Sequence, residues 1–245
     1  YSKAFEALAQ ARLISEQQAF STAPVDFREG LLYHALSDQC NDEAAARLAL
    51  NNYQRAFAES GSDTEPQTLN NMMVNYILIA HKLGRLSSVR KMWGKYEKLL
   101  GKEKTANYEF SKLLLEGLTA QTRGQYRKAL QSYRCIFDVL PFRPDKYRNI
   151  TLVYRFMAFC YAEMNHYPQA ITMMERALAL ADKGGMKDAQ IEIYKILATY
   201  YGHAGQKQKS TSCLSRGVAI SDSLLNYQQL AKVHEMRLLM QMQRA

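Results

Sequence analysis

The chain has 245 residues, 47% of them hydrophobic and 22% charged, a composition that supports a folded core and excludes intrinsic disorder. No window approaches about 18 uninterrupted apolar residues, and the densest short run, Tyr76 to Ala80, leads straight into His81 and Lys82, so no stretch reads as a membrane span. The net charge of +9 raises nucleic acid and anionic surfaces as partners.

Ala, Leu, Gln, Lys, Arg and Glu are abundant along the chain, which predicts helix nearly throughout. The first predicted helix covers Ser2 to Ala19, with Ala4, Leu8 and Ala11 on one face. Five helix pairs follow, over 25–59, 66–101, 106–141, 147–183 and 187–221. Each pair's second helix carries a small or branched residue, a large one four later and a third inward residue three after that. These are Ala49, Tyr53, Ala56; Val89, Trp93, Tyr96; Ala129, Tyr133, Ile136; Ala170, Met174, Ala177; and Ser210, Leu214, Gly217. The first members step by 40, 40, 41 and 40 residues, a register that only an internal repeat maintains. Twelve residues earlier stand Ser37, Ile77, Gly117, Ala158 and Ala198, mostly small enough to let two helix backbones approach. Between the helices of successive pairs come Gly84, Gly124, Asn165 and Gly205, residue types that accept the left-handed conformation ending a helix. The stretch 222–245 predicts a capping or connector helix, with Asp222 or Ser223 near its start. The chain opens at Tyr1 without an initiator Met and ends at Ala245 inside a helical pattern, so it reads as an excised piece of something longer.

Lys82, Arg85, Arg90, Lys91, Lys95, Lys98, Lys102 and Lys104 surround an apolar stripe of Val89, Met92, Trp93, Tyr96 and Leu99. That arrangement suits a solvated helix face and disfavours nucleic acid, for which exposed aromatic platforms are missing. Cys40, Cys135, Cys160 and Cys213 lack metal-site spacing and are expected to be buried small residues. Enzyme chemistry is not legible. His234 and Glu235 begin like a zinc-protease helix, but Leu238 occupies the second histidine's place. The pair Gly184 and Gly185 ends a helix more naturally than it cradles phosphate. No catalytic residue, metal site or cofactor is therefore expected.

The alternation of small residue, aromatic, glycine turn, alanine and large residue resembles the tetratricopeptide repeat, and AFCYAEMNHYPQAITMMERALAL (158–180) is its clearest copy. The resemblance implies one all-α domain over 1–245, a right-handed α-solenoid of tetratricopeptide-like helix pairs with a period of about 40 residues, residues 1–20 being a truncated unit. Two features depart from the family: the period exceeds the usual value of roughly 34, and only the third pair ends in the expected proline, Pro141. In this family the first helices line a concave face. The matching positions nominate His34, Asn71, Asn75, His81, Lys82, Gln121, Arg155, Phe159, Lys195 and His203 as a groove for an extended peptide, a small ligand or a protein segment. Arg155 and Lys195 would pair a carboxylate, and Phe159 would stack or pack. The carboxylate clamp of co-chaperone relatives is absent, since only Asn75 matches it. Ser221, Asp222, Ser223 and Leu224 resemble the close of the repeat array in Bacteroidetes sensor proteins. That likeness implies a non-catalytic sensor domain, periplasmic with the cytoplasm as alternative, followed in the same polypeptide by a two-component kinase or a LuxR-type DNA-binding output. A static scaffold for complex assembly is the competing expectation.

Overall fold

The computed structural model describes residues 2–18, 20–101 and 105–242, and among the described residues all regular structure is helical. The α-helices run α1 Ser2–Gln17, α2 Ala23–Cys40, α3 Glu43–Glu59, α4 Pro66–Lys82, α5 Ser87–Leu100, α6 Ala106–Thr122, α7 Tyr126–Val139, α8 Tyr147–Glu163, α9 Tyr167–Lys183, α10 Lys187–His203 and α11 Lys207–Met242. A 3₁₀ turn, Pro144–Lys146, precedes α8. The fold class is thus all-α, built from tetratricopeptide-like helix pairs. Of the basic stretch, Lys102 and Lys104 lie outside the described residues.

Local chemistry sets the helix ends. Prolines stand in the first turns of α2, α4 and α9, where a missing N–H costs no hydrogen bond. Asp42 caps α3 by accepting from the Ala44 amide at 2.8 Å. The predicted turn residues Gly84, Gly124, Asn165 and Gly205 have φ of 66°, 71°, 60° and 74°. Behind each, an amide reaches back to close the helix: Arg85 N donates to Ala80 O at 2.7 Å and Gln125 N to Ala120 O at 2.9 Å. Asn41, which the sequence reading left out, also takes the left-handed conformation at the end of α2, with φ 49°.

The repeated positions make the core. Ala49, Tyr53, Ala56, Val89, Tyr96, Ala129, Tyr133, Ile136, Ala170, Met174 and Ala177 are all fully buried. The fifth copy departs from them, because Cys213 and Gly217 are buried while Leu214 is 51% exposed. Trp93 is only half-buried, edge-on to Tyr96 and tilted against Tyr108. Buried tyrosines find polar partners on neighbouring helices: Tyr53 Oη lies 3.1 Å from His34 Nδ1, Tyr76 donates to Ser88 Oγ at 3.1 Å, Tyr96 to Asn70 Oδ1, and Tyr133 to Gln121 Oε1 at 2.9 Å. Burial drives the Tyr53 and Tyr133 hydroxyls far above their ordinary range and keeps them protonated donors.

Backbone contacts divide the chain into two compact units, Tyr1–Thr119 and Ala120–Ala245, with the boundary inside α6, where the sequence reading expects a single domain. In the first unit α1 docks through charge. Arg12 Nη2 lies 2.8 Å from Asp26 Oδ1 and 3.0 Å from Glu29 Oε2, and Arg55 of α3 reaches the same Asp26 oxygen at 3.0 Å. Asp26 is almost wholly buried, and Thr22 Oγ1 donates to its other oxygen at 3.1 Å. Gly30 faces Tyr53 so closely that a Cβ there would sit 2.5 Å from the ring. In the second unit α7 to α11 stack in chain order, α8 on α7, α10 on α9 and α11 on α10.

Two further expectations are corrected. The separate C-terminal helix beginning at 222 does not form: α11 passes through Ser221–Leu224 without a break, because no glycine or proline stands there to end it. The side chains from 226 onward lie outside the described residues. The cysteines are not uniformly buried, since Cys40 and Cys135 are exposed and only Cys160 and Cys213 lie inside.

Candidate binding face

The nominated groove residues fall in both units. Within the first unit, α2 and α4 carry His34, Asn71, Asn75, His81 and Lys82. Lys82 is committed to structure: its ammonium donates to the Ser37 carbonyl at 2.7 Å, lies 3.2 Å from Ser37 Oγ, and pairs with Asp38 Oδ1 at 2.7 Å. A cation set on the last carbonyls of α2 complements the negative end of that helix. His34 completes the cluster, with Nδ1 on Tyr53 Oη and Nε2 3.9 Å from Asp38. Burial lowers its pKa, against the pull of Asp38, and burial lowers that of His81 too. Asn71 is exposed and accepts from Gln67 Nε2 at 3.0 Å, whereas Asn75 turns back to the Asn71 carbonyl at 2.8 Å.

Gln121 is not on the face at all. It is 7% exposed, and its Oε1 takes the Tyr133 hydroxyl and, at 3.5 Å, the Cys160 thiol. Gln121 therefore joins α6, α7 and α8 as a core acceptor.

The other second-unit candidates do reach a surface. On α8, Arg155 pairs through Nη2 with Glu192 of α10, while its Nε is buried without a hydrogen-bond partner among the described residues. One turn on, Phe159 is 40% exposed, its ring edge-on to Tyr126 with centroids 6.5 Å apart. Tyr126 donates to Glu163 Oε2 at 3.1 Å. On α10, Lys195 is exposed, and His203 lies flat on Tyr167 with centroids 4.8 Å apart. The face thus offers alternating charge and aromatic surface along two adjacent first helices. Beside it a depression of about 760 Å³ is lined by Tyr126, Arg127, Lys128, Met164 and His166.

Tyr126 and Tyr167 are not among the groove residues nominated from the sequence. Each opens a second helix and meets an aromatic 33 residues on, Phe159 and Tyr200 respectively, and that recurrence is the signal the sequence offers. Among the described residues no group of three or more His, Cys, Asp or Glu is placed to hold a metal ion, and no helix is long and apolar enough to cross a membrane.

No family model matches the chain, and no curated protein matches it. Solved structures do. The Cut9–Hcn1 hetero-tetramer of the APC/C aligns with a TM-score of 0.58 at 13% identity, over 90% of this chain and 37% of that one. A Rap protein complexed with competence and sporulation factor aligns at 0.56 and 12% identity, over 91% of this chain and 61% of the other. BtubC (BKLC) from P. vanneervenii aligns over 91% of this chain and 90% of its own, at 21% identity and a TM-score of 0.46. The chain spans less than two thirds of the length of the first two. Cut9 and Rap are tetratricopeptide-repeat proteins, and the likeness shows that this chain has their fold.

Proposed function

We propose that this chain is a non-catalytic protein-interaction module that takes an extended peptide or partner segment on the first-helix face of its second unit. The observation that carries the reading is the α8 face itself, where Phe159, 40% exposed, lies one turn from an arginine whose buried Nε has no hydrogen-bond partner among the described residues. A half-exposed aromatic ring beside a guanidinium suits a segment bearing an apolar side chain and a carboxylate that competes with Glu192 for the arginine. The Rap structure of similar fold is itself a complex with competence and sporulation factor.

In its finer form the proposal is a periplasmic sensor domain of a bacterial signalling protein. Ligand on the face would bias α11, a 36-residue helix that begins as the second helix of the last pair, toward a kinase or DNA-binding output in the same polypeptide. The scaffold reading, in the cytoplasm or periplasm, is favoured by the Lys82, Ser37 and Asp38 cluster, which pins α4 to α2.

Selection from a peptide library on the whole chain, followed by titration of the best binder, tests the common element. Arg155→Ala and Phe159→Ala should each weaken binding by about tenfold or more, Phe159→Ala with little change in melting temperature and Arg155→Ala with a modest fall from the lost Glu192 pair. Full affinity in both variants would sink it. Small-angle scattering with and without the peptide then separates the forms, since a sensor shifts and a scaffold keeps one profile.

A further inference from the structure

The same repeat position that is sealed in α9 lies open in α11. Ala170, Met174 and Ala177 of α9 are fully buried, and α10 packs against that helix. Forty residues on stand Ser210, Leu214 and Gly217, and Leu214 is 51% exposed. Val218 and Leu225 are 59% and 54% exposed, and steps of four and seven residues place all three on one stripe. Beside the stripe, a depression of about 380 Å³ between α10 and α11 is floored by Ala198, Gly202 and Ser210 with Leu214 at its edge. Small floor residues and a bulky apolar rim are what a helix backbone needs in order to lie close.

We propose that this face docks an amphipathic α-helix of a partner protein, one that brings a carboxylate opposite Lys195. The shape follows from continuity with the interface one repeat earlier, where α10 occupies the corresponding place on α8 and α9. The charge follows from the same comparison. Arg155 of α8 pairs with Glu192 of the incoming α10, and forty residues after Arg155 stands Lys195, exposed on α10. A helix seated on α10 and α11 in the same way needs an acidic residue at the place Glu192 holds. The chain's own next stretch does not supply it, because forty residues after Glu192 the sequence has Lys232, a like charge. A second copy of α11 would bring Lys207, Lys209 and Arg216 against only Asp222 over 207–225. The chemistry selects a different, acidic helix.

The probe is a lactam-stapled peptide of about five helical turns, with Leu and Ala on one face and Glu on its flanks, titrated by fluorescence anisotropy against the whole chain. A twin peptide with Lys on its flanks is the control. The Glu peptide is expected to bind at least about tenfold more tightly than the Lys peptide. Leu214→Glu and Val218→Glu should each abolish most of that binding while lowering the melting temperature by no more than about 5 °C, since both side chains are more than half exposed. Lys195→Glu should invert the preference between the two peptides, and Phe159→Ala should leave it intact, which separates this surface from the α8 face proposed above. Equal affinity for the two peptides, no binding of either, or full binding by Leu214→Glu would overturn the proposal. So would a dimer in sedimentation velocity that Leu214→Glu converts to monomer, because the occupant would then be a second copy.

Discussion

Met174 and Leu214 hold the same repeat position 40 residues apart, one fully buried and one 51% exposed, so truncating each to alanine is a matched experiment. Met174→Ala removes three heavy atoms from the fully buried side of α9. Large-to-small changes at such sites cost about 2–5 kcal/mol, the lost transfer energy plus the cavity left behind. Fully burying a leucine stabilises by about 1.5–3 kcal/mol, and Leu214 is only half removed from water, so its loss should cost roughly 1 kcal/mol with no cavity added. Urea denaturation followed by far-ultraviolet circular dichroism reads both. The expected result is a midpoint lowered strongly by Met174→Ala and slightly by Leu214→Ala, at unchanged slope. Should Leu214→Ala prove as costly as Met174→Ala, Leu214 is covered in the free protein, and the assignment of an open end face on α11 is wrong.

Tyr133→Phe should lower stability by about 1–2 kcal/mol, because it leaves the buried Gln121 oxygen with the Cys160 thiol as a weaker donor, and Gln121→Leu in that background should restore part of the loss in the same denaturation assay. Lys82→Met keeps the apolar stem but removes the ammonium from the end of α2, and should cost on the order of 1 kcal/mol, with faster amide exchange at Ser37 and Asp38 by hydrogen-exchange mass spectrometry. His34 and His81 have pKa values lowered by burial, so the unfolded chain binds more protons than the folded one below the unfolded pKa of about 6.5. Stability contributed by their neutral forms is present above that pH and is lost as pH falls from there toward the folded values. The melting temperature should fall between neutral pH and mildly acidic pH, and His34→Gln should flatten that slope; an unchanged slope would contradict the burial argument.

Much of the fold was legible because a 40-residue register leaves its mark on both helices of each pair. Ala49, Val89, Ala129 and Ala170 all proved buried as their spacing required, and the turn residues from Gly84 to Gly205 took the left-handed conformation expected of them. The site was less legible, and Gln121 shows why. Counting 40 residues from His81 puts Gln121 on the groove, but the buried positions Met73, Ile77 and Ala80 of α4 correspond to Leu114, Leu118 and Gln121 of α6, a step of 41. One residue turns a helix position by about 100°, which carries Gln121 from the face into the core. Lys82 misled for another reason: position told where its Cα lies but not that Ser37 and Asp38 come within reach of its long side chain. The run of α11 through Ser221 was hidden because Asp and Ser cap helices and also tolerate their interiors, and only a following break would have told the two apart.

Gly30 carries no side chain, yet its missing methyl group shapes the chemistry of the first unit. The Tyr53 ring fills the space where that methyl would stand, and the position of the ring fixes where its hydroxyl meets His34. His34 in turn sits beside Asp38, the carboxylate that receives Lys82. A change as slight as Gly30→Ala would displace the ring by crowding and pass down that chain of contacts from hydroxyl to imidazole to ion pair. Drift at this one position would therefore surface as altered acid sensitivity and a loosened α2 terminus, two symptoms that a search confined to charged residues would never trace to a glycine.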